Sequence, residues 1–94
     1  MLTLKPETAS LINDELESVP EKYQKPFNSM HEALGVIREE YIELESEIFF
    51  GEKNAQREID FLDEGKLAKE VNRLRIKKEA VQVAAMCARL IQEL

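Results

Sequence analysis

A single cysteine cannot close an internal disulfide, so Cys87 excludes the stapled scaffold of small secreted domains. It sits inside an apolar run and reads as a small buried hydrophobe. The one histidine, His31, reads as a cap or packing residue, and no structural metal site stands out. No stretch approaches the roughly 20 apolar residues that span a bilayer. Residues 1–6 carry no apolar core of signal-peptide length. A soluble, cytoplasmic protein with no membrane partner is the expectation. There is also no strand-like alternation, internal repeat or low-complexity segment. Bases are outnumbered, thirteen against nineteen acids for a net charge of −6. Nucleic acid is therefore excluded as a partner of the surface as a whole.

What is present is helical periodicity. Ninety-four residues make at most one small domain, and chains of this length bury a modest fraction of their surface. The pattern predicts an all-α protein, an antiparallel bundle of three to four helices. Residues 1–28 hold a first helix and a connector. That helix starts near Pro6-Glu7, carries Leu11, Ile12, Leu16 and Val19 on one face, and closes at Pro20. Tyr23 and Phe27 are available to pin the connector to the core. An acidic helix over 29–50 is capped by Asn28 or Ser29 and carries His31 and Glu32 in its first turn. It repeats Met30, Leu34, Ile37, Tyr41, Leu44 and Ile48 as an apolar stripe, with Gly51 as its stop. Residues 51–65 (GEKNAQREIDFLDEG) read as a connector or short helix. Residues 66–94 lack Gly and Pro and form one long central helix.

The run from Lys78 to Ile91 organises the rest. Its apolar residues surround most of the helix, as in a helix with neighbours on several sides. The polar exceptions, Glu79, Gln82 and Arg89, fall with Met86 within roughly an 80° arc. Two short neighbours cannot cover so much apolar surface, so dimerisation or tetramerisation is expected to complete the bundle.

The narrow polar edge needs a partner, because burying unpaired charge is costly. On the acidic helix, Glu43, Glu47 and Glu32 lie about 60°, 20° and 80° to one side of Glu40, and the apolar stripe lies to the other. These acids border the buried seam rather than the far, solvated face. Converging carboxylates repel unless a cation neutralises them or some stay protonated. All-oxygen ligand sets suit Mg²⁺ and Mn²⁺. Pairs at i, i+3 on facing helices, Glu40/Glu43 against Glu79/Gln82, have the form of carboxylate metal sites in bundles. The alternative is a solvated acidic face. Arg89 either binds a phosphate or pairs with Glu79 or a neighbouring acid. Lys69, Arg73, Arg75, Lys77 and Lys78 form a locally basic stretch with room for phosphate contacts.

The segment HEALGVIREEYIEL (31–44) followed by EAVQVAAMCAR (79–89) resembles the MazG-like branch of the all-α nucleoside triphosphate pyrophosphohydrolases, its small phage-type and bacterial members in particular. That superfamily carries an EExxE motif on one helix and ExxD on a later one. The resemblance implies Mg²⁺-dependent hydrolysis of a nucleoside triphosphate to the monophosphate and pyrophosphate. Position by position, EExxE falls on Glu39, Glu40 and Glu43, and Glu79 takes the first acid of ExxD. Glu40, Glu43, Glu79 and Gln82 would hold the metal, with Glu39 or Glu47 positioning or deprotonating water and Arg89 and Lys78 meeting phosphate. Gln82 stands where the motif has Asp, and 35 residues separate Glu43 from Glu79, a longer interval than usual. The 51–65 segment accounts for the excess, as a lid over the site or in place of substrate contacts. These departures keep two alternatives open: a catalytically silent helical oligomer serving as an interaction module, and a nucleotide-binding regulator without turnover.

Overall fold

The computed structural model describes residues 2–21, 24–59 and 66–94, and all regular structure among them is helical. Helix α1 spans Pro6–Ser18, α2 spans Met30–Ile59 and α3 spans Lys66–Glu93. Among the described residues no helix is long and apolar enough to cross a membrane. Pro6 takes the first position of α1, where its missing N–H costs nothing. The Gln24 amide closes the other end by donating to the Val19 carbonyl at 2.7 Å. Ser29 caps α2: its Oγ accepts from the Glu32 N–H at 3.1 Å, and its carbonyl accepts from Ala33.

Helix α2 does not stop at Gly51. A glycine ends a helix when it turns left-handed and the residues after it cannot continue the spiral. Here the next residues are good helix formers with no proline among them, so the helix runs on for two more turns. Gly51 serves close approach instead. A β-carbon on it would meet the Glu47 carboxylate and the Asn72 amide, both packed against its bare face. Residues 51–59 thus continue along the helix axis and do not fold back over the acids as a lid. Residues 60–65, the rest of that segment, lie outside the described residues, as does Tyr23.

Helices α2 and α3 are antiparallel. Contacts step in opposite directions along them: Glu58 pairs with Arg75, Glu47 bonds Asn72, Glu40 meets Gln82, and Phe27, just before α2, meets Glu93. At 1.5 Å per residue they are about 45 and 42 Å long, which sets the 48 Å long axis of the molecule. The extended hairpin explains the long interval between Glu43 and Glu79: both helices simply run past the acids. Small residues make the seam. Ala33, Gly51 and Ala55 of α2 and Ala68 and Ala85 of α3 are buried, with Met86 the one large side chain among them.

Helix α1 packs on α3, and its backbone does not come close to that of α2. It lies beside Leu74, Lys78, Val81 and Arg89, along one flank of α3. The chain alone therefore covers little of the apolar stripe on α2. Ile37 and Leu44 are half-buried, whereas Met30, Leu34, Tyr41 and Ile48 remain between 51% and 60% exposed.

The two helical glycines of α2 should respond oppositely to alanine. Nothing lies near a β-carbon at Gly35, so Gly35→Ala should stabilise by up to about 1 kcal/mol through helix propensity. Gly51→Ala must displace Glu47 and Asn72, and should instead destabilise by about 1–2 kcal/mol as their hydrogen bonds are lost. Urea unfolding of both variants checks this, and equal gains in stability would contradict it.

Candidate metal centre

Three carboxylates meet across the α2–α3 seam. Glu40 and Glu43 stand one turn apart on α2, Glu79 faces them from α3, and each offers an oxygen within 4.8 Å of the others. Glu40 and Glu79 are half-buried, and Glu43 lies on the exposed side. Glu43 is the shared neighbour, within side-chain hydrogen-bonding reach of both. Gln82, one turn on from Glu79, reaches into the same place. With its NH₂ turned inward, its amide donates to Glu79 Oε2 at 2.8 Å and to Glu40 Oε2 at 3.1 Å. Turned the other way, it presents a neutral carbonyl oxygen to the space the acids surround.

The electrostatics reflect this crowding. Burial, followed by the charges of Glu43 and Glu79, raises the Glu40 carboxyl above its ordinary value, and Glu15 of α1 adds to the effect. Burial and then Glu43 raise Glu79, with Glu47 contributing and Lys78 opposing. Two carboxyls held up by burial and like charge form a site short of positive charge. A hard cation would supply that charge, and the carboxylates, together with Gln82 in its carbonyl-inward orientation, offer it oxygen donors. The residues present fit Mg²⁺ or Mn²⁺.

The other expected site residues are distributed around this centre. Glu39 is exposed on α2, one turn before Glu43 on its open side. Glu47 is half-buried one turn after Glu43, and Asn72 Nδ2 fixes it by donating at 3.0 Å to both its Oε1 and its carbonyl. Lys78 is exposed beside Glu79. Arg73 and Arg75 are committed to ion pairs with Glu70 and Glu58. Arg89 lies ten residues beyond Glu79, about 15 Å along α3, and pairs with neither Glu79 nor the other acids of the centre. Its guanidinium stacks 3.9 Å from the centre of the Phe27 ring, donates to the Lys25 carbonyl and pairs with Glu93 at 3.5 Å. Glu93 in turn accepts from the Phe27 N–H at 3.1 Å. Arg89 ties the connector before α2 to the end of α3, and it also lines an open cavity of about 340 Å³ there. Met86 is core, as its apolar character requires.

Two residues near the centre were not singled out by the sequence. Glu15 falls inside the apolar arc of α1, between Leu11 and Val19 on the wheel, which is the signal that it faces inward. Asn72 is seven residues before Glu79, and hence within about 20° of it on α3.

The chain matches no family model, no curated protein and no solved structure.

Because Glu40 and Glu79 are raised in the fold, their protonation favours the folded state. That contribution is fully present below the ordinary carboxylate range and is lost as pH rises through the raised values. Glu40→Gln removes one of the repelling charges, a relief of about 0.5 kcal/mol on the scale of like-charge helix pairs. In a chelator at pH 7 the variant should melt about 2–4 °C above the parent, and the gap should close near pH 4. Thermal scans at the two pH values check this, and a lower melting point at pH 7 would contradict it.

Proposed function

We propose that the chain is a divalent-cation-dependent nucleoside triphosphate pyrophosphohydrolase. One observation carries the reading: Glu40, Glu43 and Glu79, distant in sequence, converge within 4.8 Å at the positions the EExxE and ExxD resemblance assigns to metal ligands. In this reading those carboxylates hold Mg²⁺ or Mn²⁺, with Gln82 as a neutral oxygen donor. Held by these residues, such a cation would supply the charge that neutralises phosphate and favours in-line displacement at phosphorus.

The chain's own groups do the rest. Lys78, exposed beside Glu79, offers its ammonium to a phosphate oxygen. A water oxygen attacks the α-phosphorus, the bond to the bridging oxygen of the β-phosphate breaks, and pyrophosphate departs with that oxygen. The water's proton passes to a carboxylate. In this reading Glu47, held in one orientation by Asn72, orients the water, and Glu39, exposed on α2, takes its proton.

Gln82 favours a second reading from the same site. An amide in place of a fourth acid weakens charge compensation, and a regulator that binds nucleotide without turnover would tolerate that loss.

Pyrophosphate release from a panel of canonical, deoxy and modified nucleoside triphosphates, with Mg²⁺, Mn²⁺ or chelator, tests the proposal. Release should require the cation and fall at least about 100-fold in Glu40→Gln, in the range of losing a principal charge-stabilising group. Nucleotide binding without release would select the regulator. Neither binding nor release would remove both readings.

A further inference from the structure

Beside the metal centre, a cavity of about 440 Å³ opens between α1 and α3. That volume lies in the range of roughly 300–1,000 Å³ that small-molecule sites occupy. Leu11 of α1 and Leu74 and Val81 of α3 supply its apolar walls. The two leucines are 38% and 52% exposed, so the slot between them stands open to solvent. Two charged residues join the cavity to the centre. Glu15 lines it and also acts on the Glu40 carboxyl, and Lys78 lines it next to Glu79. Asp14 and Lys77 complete the lining. Asp14 is exposed where Glu15 is half-buried. Lys77 lies about 160° around α3 from Glu79, against about 100° for Lys78. Asp14 and Lys77 thus stand at the end of the cavity farther from the carboxylates.

We infer that this cavity holds the base of a nucleotide, and that Asp14 and Lys77 select guanine. The inference rests on the nucleotide reading of the metal centre, with or without turnover. With the phosphates at the cation and Lys78, the sugar passes Glu15 and the base enters the slot. Leucine and valine side chains cover the faces of a planar ring without telling one base from another. The edge is what the charged pair reads. A carboxylate accepts two parallel hydrogen bonds, and for that it needs two adjacent donors. Guanine has them in N1–H and the 2-amino group, and its O6 and N7 are acceptors for an ammonium. Adenine puts its amino group where Lys77 donates. Cytosine sets an acceptor beside its amino group, and uracil and thymine flank a single N–H with two carbonyls. Each of these turns an acceptor toward the Asp14 carboxylate, and only guanine satisfies both charged groups.

The test titrates the full chain, in chelator, with guanosine, inosine and adenosine, and follows backbone amides by ¹⁵N-resolved nuclear magnetic resonance. Nucleosides need no cation, so the readout is independent of the metal centre. Guanosine should move the amides of Leu11, Leu74 and Val81. It should bind at least about 10-fold tighter than the other two, in the range of one bidentate base contact. Asp14→Asn should bring guanosine to the level of inosine, which lacks the 2-amino group. Lys77→Met should weaken both, because both carry O6 and N7. The two residues are exposed, and if one variant loses its dispersed amide spectrum the other carries the test. Equal binding of the three nucleosides, or unchanged selectivity in Asp14→Asn, would overturn the inference. No shift at these amides would also overturn it, and would leave the slot to an apolar side chain of a protein partner. Failure here is separable from failure of the hydrolase reading. Pyrophosphate release without guanine preference would remove the base site and keep the enzyme, whereas guanosine selection without release would keep the base site in a nucleotide-binding regulator.

Discussion

The close approach of α2 and α3 is the constraint on which the rest depends. Alanine and glycine line the seam, so the two backbones come near enough for short-range polar contacts to form between them. Asn72 can reach both the carbonyl and the carboxylate of Glu47 because Gly51 leaves room beside them. That contact fixes the register of the hairpin. With the register fixed, Glu79 and Gln82 stand opposite Glu40 and Glu43. A larger residue at Gly51 or Ala55 would part the helices and the carboxylates together.

The site then concentrates charge that the fold does not itself neutralise. Lys78 opposes the rise at Glu79 from an exposed position, but two arginines of α3 are occupied elsewhere: Arg75 with Glu58 and Arg89 with the connector. Stability alone does not favour half-burying two acids beside a third, since like charges at this range raise the cost of folding at neutral pH. Gln82 softens that cost by bracing Glu40 and Glu79 through its NH₂ group, and by turning over it can present oxygen instead. One side chain would thus serve the centre both with and without a cation, which an aspartate at that position could not do without adding repulsion.

Much of the fold was legible in the sequence. The starts of all three helices could be read from Pro6, Ser29 and the breaker-free run from Lys66, because capping and proline chemistry are local. The facing of Glu40 and Glu43 with Glu79 and Gln82 came from helical spacing. The end of α2 did not, since whether a glycine stops a helix or admits a neighbour depends on Asn72, which arrives from another helix. Arg89 pairs with a neighbouring acid, as its place on the polar edge allowed, but that acid is Glu93. It shares the polar arc of Glu79, yet about 15 Å of helix axis separates them, and which acid it meets depends on the connector residues Phe27 and Lys25 packed against it. The apolar stripe of α2 was correctly placed beside the seam, but within one chain only its inner edge, Ile37 and Leu44, is covered.

The centre's capacity to hold a cation is most directly tested by electron paramagnetic resonance of Mn²⁺ titrated into the chain, where the sharp signal of the free ion is lost on binding. One site per chain is expected for the wild type, with a large loss of affinity in Glu79→Gln and no change in its helicity. A wild-type titration indistinguishable from buffer would contradict a metal centre here and leave the three carboxylates as a solvated acidic edge.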